Sequence, residues 1–163
     1  FTREDYEQVF ETYLGISQII WLGDGVVNDD THGHVDDLAR FVNPTTVVTV
    51  VEKNKRDENY KALADNVKRL KRARDQNGKP LTVVELPMPR PFTFEGVRLP
   101  ASYANFLIAN GLVIVPTFND ANDRVALSIL AELFPGREVV GIHASDLIWG
   151  FGTLHCMSQQ EPA

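Results

Sequence analysis

Cys156 is the only cysteine of the chain, and it stands in the run Gly150-Phe151-Gly152-Thr153-Leu154-His155-Cys156-Met157-Ser158-Gln159. A lone cysteine is more often a buried, inert thiol than a reactive one. As a nucleophile it needs a partner that can exchange protons. His155 is next to it, but adjacent residues of an extended segment face opposite ways, so His155 is a poor general base there. The partner must come from elsewhere. Asp30-Thr31-His32-Gly33-His34-Val35-Asp36 concentrates imidazole and carboxylate far upstream. His34 is the leading acid/base and His143 the fallback. In an extended stretch His34 and Asp36 point the same way, which makes Asp36 a carboxylate for a cationic substrate or for the histidine itself. His32 and His34 together could also ligate a metal, but a third protein ligand is not evident. No metal and no cofactor are expected. The glycines flanking Phe151 allow close approach of backbone to a ligand, or a positive φ.

Composition narrows the partners. The 163 residues suit one modest domain, and 44% hydrophobic with 23% charged residues is ordinary for a globular chain. A net charge of −6 argues against general nucleic-acid binding and is compatible with a small cation. Lys61, Lys68, Arg69, Lys71, Arg72 and Arg74 cluster, but no aromatic residues interleave them to stack bases. They read as a solvated helix face. No apolar run approaches the ~20 residues of a membrane span, and no leader is visible. A cytoplasmic location is expected, and a homodimer is compatible with the sequence.

These residues must be positioned by the elements around them. Thr2-Arg3-Glu4-Asp5 has the form of a capping box for a helix ending at Gly15. Ser17 to Leu22 reads as a strand, Gly23 to Gly33 as a loop, and Leu38 to Val42 as extended. Thr45 to Val51 is β-branched throughout and is the clearest strand. A helix is predicted from Asp57 to Asp75 with Tyr60, Leu63, Ala64, Val67 and Leu70 on one face. Leu81 to Leu86 is the next strand. Pro87 to Pro100 carries four prolines and reads as a loop with little regular structure. Ser102 to Ala109 and Leu112 to Val115 are extended, joined by the hairpin signal Asn110-Gly111. Asn119 or Asp120 caps a helix that Pro135-Gly136 ends. Glu138 to Ile142 and Thr153 to Ser158 are the closing strands. Strand, strand, helix, strand thus occurs twice, from Leu38 to Leu86 and from Ser102 to Ile142. A lone helix and strand precede the first unit, so the chain reads as half of a larger ring of ββαβ units.

The motifs now have an order. Thr31-His32-Gly33-His34-Val35-Asp36 resembles the TDGHxD motif of the agmatine deiminase and bacterial (Porphyromonas-type) peptidylarginine deiminase family. Pro100-Ala101-Ser102-Tyr103-Ala104-Asn105-Phe106, Ala109-Asn110-Gly111 and Val115-Pro116 with Asp120 and Asp123 are similar to its central signature. Phe134-Pro135-Gly136-Arg137 and Gly152 to Gln160 resemble its closing one, GGGNxHCxTQQ.

The resemblance implies the pentein fold, an α/β propeller of five ββαβ units, with residues 1–163 forming a partial domain. This would be the carboxy-terminal half of the ring, partnered by the amino-terminal half. It also implies a guanidine deiminase with a small cationic substrate, agmatine first and peptidylarginine second. The Cys156 thiolate attacks the guanidinium carbon, His34 protonates the leaving ammonia, and water that His34 deprotonates hydrolyses the thiouronium. Asp36 holds the guanidinium, preferably at two points. Asn105 matches a supporting position in the bacterial peptidylarginine deiminases. Asp29, Asp30 and Asp120 add negative charge, Asp30 and Asp120 as substrate-binding candidates. The alternatives are a non-catalytic half-pentein that binds a partner and a Cys–His amidase. Three positions depart from the family pattern: His32 replaces an acidic residue, Phe151 the middle glycine and Thr153 an asparagine. The family's second guanidinium-binding aspartate, in an Arg-Asp-Gly-Pro context, has no counterpart here.

Overall fold

The computed structural model describes residues 1–30 and 33–161. Thr31 and His32, the start of the histidine motif and the second imidazole of the metal reading, lie outside the described residues.

Helix α1 spans Arg3–Leu14. Thr2 Oγ1 accepts from the Asp5 N–H and the Thr2 N–H donates to Asp5 Oδ2, the expected reciprocal cap. Gly15 ends the helix at φ 66°. No residue of α1 is buried, and Tyr6, Val9, Tyr13 and Leu14 are exposed.

The doubled unit is present, with the same topology in each copy. In the first, β1 (Ala39–Asn43) runs antiparallel to β2 (Thr46–Val51), α2 (Asn59–Arg72) crosses over, and β3 (Thr82–Pro87) lies parallel to β2. A hairpin follows, β4 (Phe92–Phe94) with β5 (Val97–Leu99). In the second unit β6 (Leu107–Ile108) is antiparallel to β7 (Leu112–Thr117), α3 (Ala121–Leu133) crosses, and β8 (Glu138–His143) is parallel to β7. The central strands supply Val47, Val48, Val50, Val113 and Val115 to one core, with Leu63 and Leu70 of α2 and Ala126 and Leu130 of α3. The Asn110-Gly111 turn forms as expected, with Gly111 at φ 78°. On the basic helix Arg69 pairs with Asp65 and Lys71 with Glu85.

Four expectations are corrected. Ser17 to Leu22 has no ladder partner among the described residues; it is tied instead by side chains, Trp21 Nε1 donating to Glu7 and Gln18 to the Arg74 carbonyl. Pro87 to Pro100 is not featureless. Glu95 (φ 48°) and Gly96 (φ 80°) form the two-residue turn of β4–β5, with left-handed φ at both positions as tight hairpins require. Proline density masked that turn. Of Ser102 to Ala109, only Leu107–Ile108 pairs as strand. Thr153 to Ser158 is a tight turn, with Met157 N–H donating to the Thr153 carbonyl and Ser158 N–H to that of His155.

Helix α2 also fixes the loop before the histidine motif. Two asparagines on its buried face do this. Asn66 accepts from the Gly23 N–H and donates to the Asp24 carbonyl; Asn59 accepts from the Val27 N–H. Both side chains are fully buried. The loop that carries Asp29 is therefore set by the first unit's core.

Candidate active site

Residues Val35–Asp37 form a 3-10 turn with His34 at its N-cap, instead of the extended stretch expected. His34 and Asp36 still face one cavity of about 420 Å³, lined also by Asp30, Val35, Gly150, Phe151, Gly152, His155, Cys156 and Ser158. Histidine and carboxylate, however, do not pair with each other. Asp29 takes His34: its Oδ1 lies 2.7 Å from Nδ1, and its Oδ2 accepts the His34 backbone N–H. The Asp29 carboxylate is buried. Its hydrogen bond raises the His34 pKa above the ordinary value, with partial desolvation opposing and the charges of Asp29, Asp36 and Asp30 adding to the rise. Asp30 is half exposed, 3.7 Å from the same nitrogen.

Asp36 faces the cysteine. Its Oδ2 accepts from His155 Nδ1 at 2.8 Å, Asn105 Nδ2 at 2.9 Å and Cys156 Sγ at 3.1 Å. His155 and Cys156 thus meet the same oxygen, contrary to the strand reading, because the 153–158 turn brings neighbours to one side. Burial opposes ionisation of Asp36, but the His155 and Cys156 hydrogen bonds hold its carboxyl below the usual range. The thiol moves the other way. Desolvation pushes Cys156 up to about 11; the Asn105 amide pulls down, and Asp36 and Asp37 push further. These surroundings favour the thiol over the thiolate.

Asn105 is the hub beneath. It is 1% exposed. Its Nδ2 contacts Asp36 at 2.9 Å, Asp37 Oδ1 at 3.0 Å and Cys156 Sγ at 2.9 Å, three acceptors for two amide hydrogens. Its Oδ1 accepts from the backbone N–H groups of Thr153, His155 and Cys156 and from the Thr153 hydroxyl. Asn105 therefore holds protein groups in place, and its burial keeps it from the cavity wall where a substrate contact was expected. Asp36, Asp37 and Cys156 are close enough to share a metal ion, but they are already bridged by this neutral amide donor.

Asp37 was not foreseen. It is buried, its Oδ2 has no hydrogen-bond partner among the described residues, and burial followed by the charges of Asp36 and Asp29 pushes its pKa up to about 8. An unfolded aspartate ionises near ~4. Folded Asp37 thus keeps a proton that the unfolded chain has lost between about pH 4 and about pH 8, and the stability it contributes falls as pH rises through that window. Asp37→Asn is expected to flatten this decline in urea midpoints measured across it; an unchanged slope would contradict the assignment.

The closing run needs its second glycine. A Cβ on Gly152 would lie 2.6 Å from Cys156 Cβ and 2.8 Å from Sγ. The positive φ falls on Phe151 (63°), a non-glycine residue that caps the preceding 3-10 turn, Leu147–Gly150. Trp149 of that turn stacks on Phe94 of β4 with ring centroids 3.8 Å apart, so the β4–β5 hairpin braces the segment leading to the thiol.

Asp120 is not brought to the site. It caps α3 through the Asn122 N–H and pairs with Arg90 at 2.7 Å. Burial opposes its ionisation, but the Asn122 and Arg90 contacts hold its carboxyl below the usual range. Its capping partner Asp123 accepts the Tyr103 hydroxyl.

This architecture is that of the penteins, here as about half of the ring. The agmatine deiminase of Enterococcus faecalis superposes with a TM-score of 0.94 at 34% identity, over 99% of this chain and 49% of that one. The agmatine deiminase of C. jejuni, as a cysteine-to-serine variant with substrate bound, superposes at 0.87 and 33% identity, over 95% of this chain and 45% of that one. In sequence, the agmatine deiminase of Pseudomonas fluorescens is 38% identical over 180 residues, 99% of this chain and 49% of the relative. The family described as Porphyromonas-type peptidyl-arginine deiminase matches residues 1–162. The chain belongs to that family, and it spans about half the length of the relatives it matches. No helix among the described residues is long and apolar enough to cross a membrane.

Proposed function

We propose that the chain carries the nucleophile and the acid–base group of a guanidine deiminase that hydrolyses agmatine to N-carbamoylputrescine and ammonia. The observation that carries this reading is one acidic cavity lined by Cys156, Asp36 and His34, with the thiol donating to Asp36. The guanidinium enters beside Asp36 and Asp30. Its positive charge offsets the carboxylates that hold the thiol up, and the S–H proton is released as the thiolate forms. Sulfur attacks the guanidinium carbon. His34, whose protonated form the Asp29 hydrogen bond favours, gives its proton to the departing ammonia. The neutral imidazole then takes a proton from water, and the hydroxide attacks the thiouronium carbon. Collapse of the tetrahedral adduct forms the C=O of the carbamoyl product, expels the thiolate and releases the hydroxyl proton, which returns the sulfur to the thiol. Asp36 Oδ2 already holds three protein donors, so a two-point guanidinium contact has to displace at least one of them.

The relatives named agmatine deiminase support agmatine over peptidylarginine. The remaining length of the relatives is the natural source of the second guanidinium-binding carboxylate, and residues 1–163 act as a partial domain completed by it. The unburied helix α1 supports such a docked partner, which is also what a non-catalytic half-pentein would need. A free thiol nucleophile suits a reducing compartment and so a cytoplasmic location.

Ammonia release separates these readings. Protein extended to the length of its relatives is expected to turn over agmatine faster than a peptidylarginine, and residues 1–163 alone to show no measurable turnover. Turnover of neither substrate by the extended protein would sink the deiminase reading. Strong activity of the isolated chain would sink the need for a completing half.

A further inference from the structure

Beneath the thiol lies a cation that neither the motifs nor the mechanism uses. Arg40 on β1 reaches across to the second unit, where its Nη1 donates to the Phe106 carbonyl at 2.8 Å and to the Ala104 carbonyl at 3.3 Å. These two carbonyls flank Asn105. The guanidinium carbon also sits 4.9 Å from the centre of the Phe106 ring, which is fully buried. One side chain thus grips the backbone on both sides of the residue whose amide touches Asp36, Asp37 and Cys156. The titratable groups that face Arg40 are those same three, Asp36 and Asp37 from the 3-10 turn and Cys156 from the closing turn.

We propose that Arg40 is a positioning residue of this site: it holds the peptide around Asn105 so that the amide bears on Cys156, and its fixed charge favours the thiolate. The inference rests on the deiminase reading for its purpose. Arginine suits the task because its planar fork serves two carbonyls at once and stays charged when desolvated; lysine keeps the charge without the fork. The thiol is faced by Asp36, Asp37 and His155 as well as by Arg40, and Asp30 and His34 share its cavity. Arg40 is the permanent cation in this set.

Alkylation of Cys156 by iodoacetamide tests this without substrate, because the chain has one cysteine and intact mass reports its reaction directly. At about pH 8, Arg40→Gln is expected to slow alkylation of the folded chain about tenfold, the equivalent of about one pKa unit. Arg40→Lys is expected to stay within about threefold of the wild-type rate, since the charge is kept. A residue that merely packs would act oppositely: its loss would loosen the closing turn, expose the sulfur and speed the reaction. A folded Arg40→Gln chain that alkylates at the wild-type rate or faster overturns the proposal. If circular dichroism shows that the glutamine variant does not fold, the lysine variant decides, and acceleration there beyond about threefold overturns it. Absence of ammonia release would count against the deiminase reading and leave this result standing.

Discussion

Full-length protein carrying Cys156→Ala is expected to lose agmatine hydrolysis, with kcat lower by at least about 10⁴-fold. The size of the effect follows from the cavity's contents. Cys156 is the only thiol of residues 1–163, and the hydroxyl on the described cavity wall, that of Ser158, already donates to the His155 carbonyl at 2.9 Å. His34 and Asp36 remain in the variant, so substrate binding and proton transfer are still possible, but no atom is left to form the covalent intermediate. Stability should change by less than about 1 kcal/mol, since the residue is exposed and alanine keeps its Cβ. Ammonia release and a thermal melt on the same preparation check both halves. A variant that melts normally and retains even one tenth of the activity would remove Cys156 from the chemistry.

Asn105→Ala is expected to damage stability and activity together. The asparagine side chain touches both the acidic turn, at Asp36 and Asp37, and the closing turn, at Thr153, His155 and Cys156. Removing it leaves the N–H groups of Thr153 and Cys156 without this acceptor, leaves the His155 N–H only the main-chain carbonyl of residue 105, and takes a donor from Asp36, Asp37 and the sulfur. Buried groups that lose partners cost about 1–3 kcal/mol each in the worst case, and partial rehydration reduces the sum. A loss of about 3 kcal/mol in urea denaturation is expected. The lost donation to sulfur and the freed 153–158 turn should lower kcat by about 10²-fold or more, because small misplacements of reacting groups are costly. Asn105→Asp should be worse near pH 8 than near pH 5, since a third carboxylate would join Asp36 and Asp37 and ionise beside them. A fully stable, fully active Asn105→Ala protein would show that the hub is incidental.

The two ββαβ units were legible because their signals are local. Thr45 to Val51 is β-branched, α2 carries its apolar stripe, and Asn110-Gly111 marks its own turn. Cys156, His34 and Asp36 were legible through the order of motifs, and the structure gathers them around one cavity. Two misreadings at the site share a cause. Alternation along an extended strand was assumed for 34–36 and for 153–158, and both are tight turns. That assumption hid His155 as a partner of Asp36 and left Asp36 open between His34 and the substrate. Asp29 takes His34 because α2 anchors the loop before it through Asn59 and Asn66, two asparagines on a face that reads as leucine and valine. Asp37 and Arg40 were invisible for a different reason. Their meaning depends on burial beside Asn105, some 65 positions away in the chain, and no local pattern encodes that. Asp120 shows the converse: an acidic residue before a helix caps that helix, whatever motif it falls in.

The central claim is that Cys156 forms a covalent bond to the guanidinium carbon. The direct measurement is intact-protein mass spectrometry of full-length protein mixed with agmatine and acid-quenched during turnover. The account predicts a transient species heavier than the free protein by the mass of agmatine less ammonia, mapped by proteolysis to the peptide containing Cys156 and absent from Cys156→Ala. Steady release of ammonia with no such adduct at any quench time would contradict it.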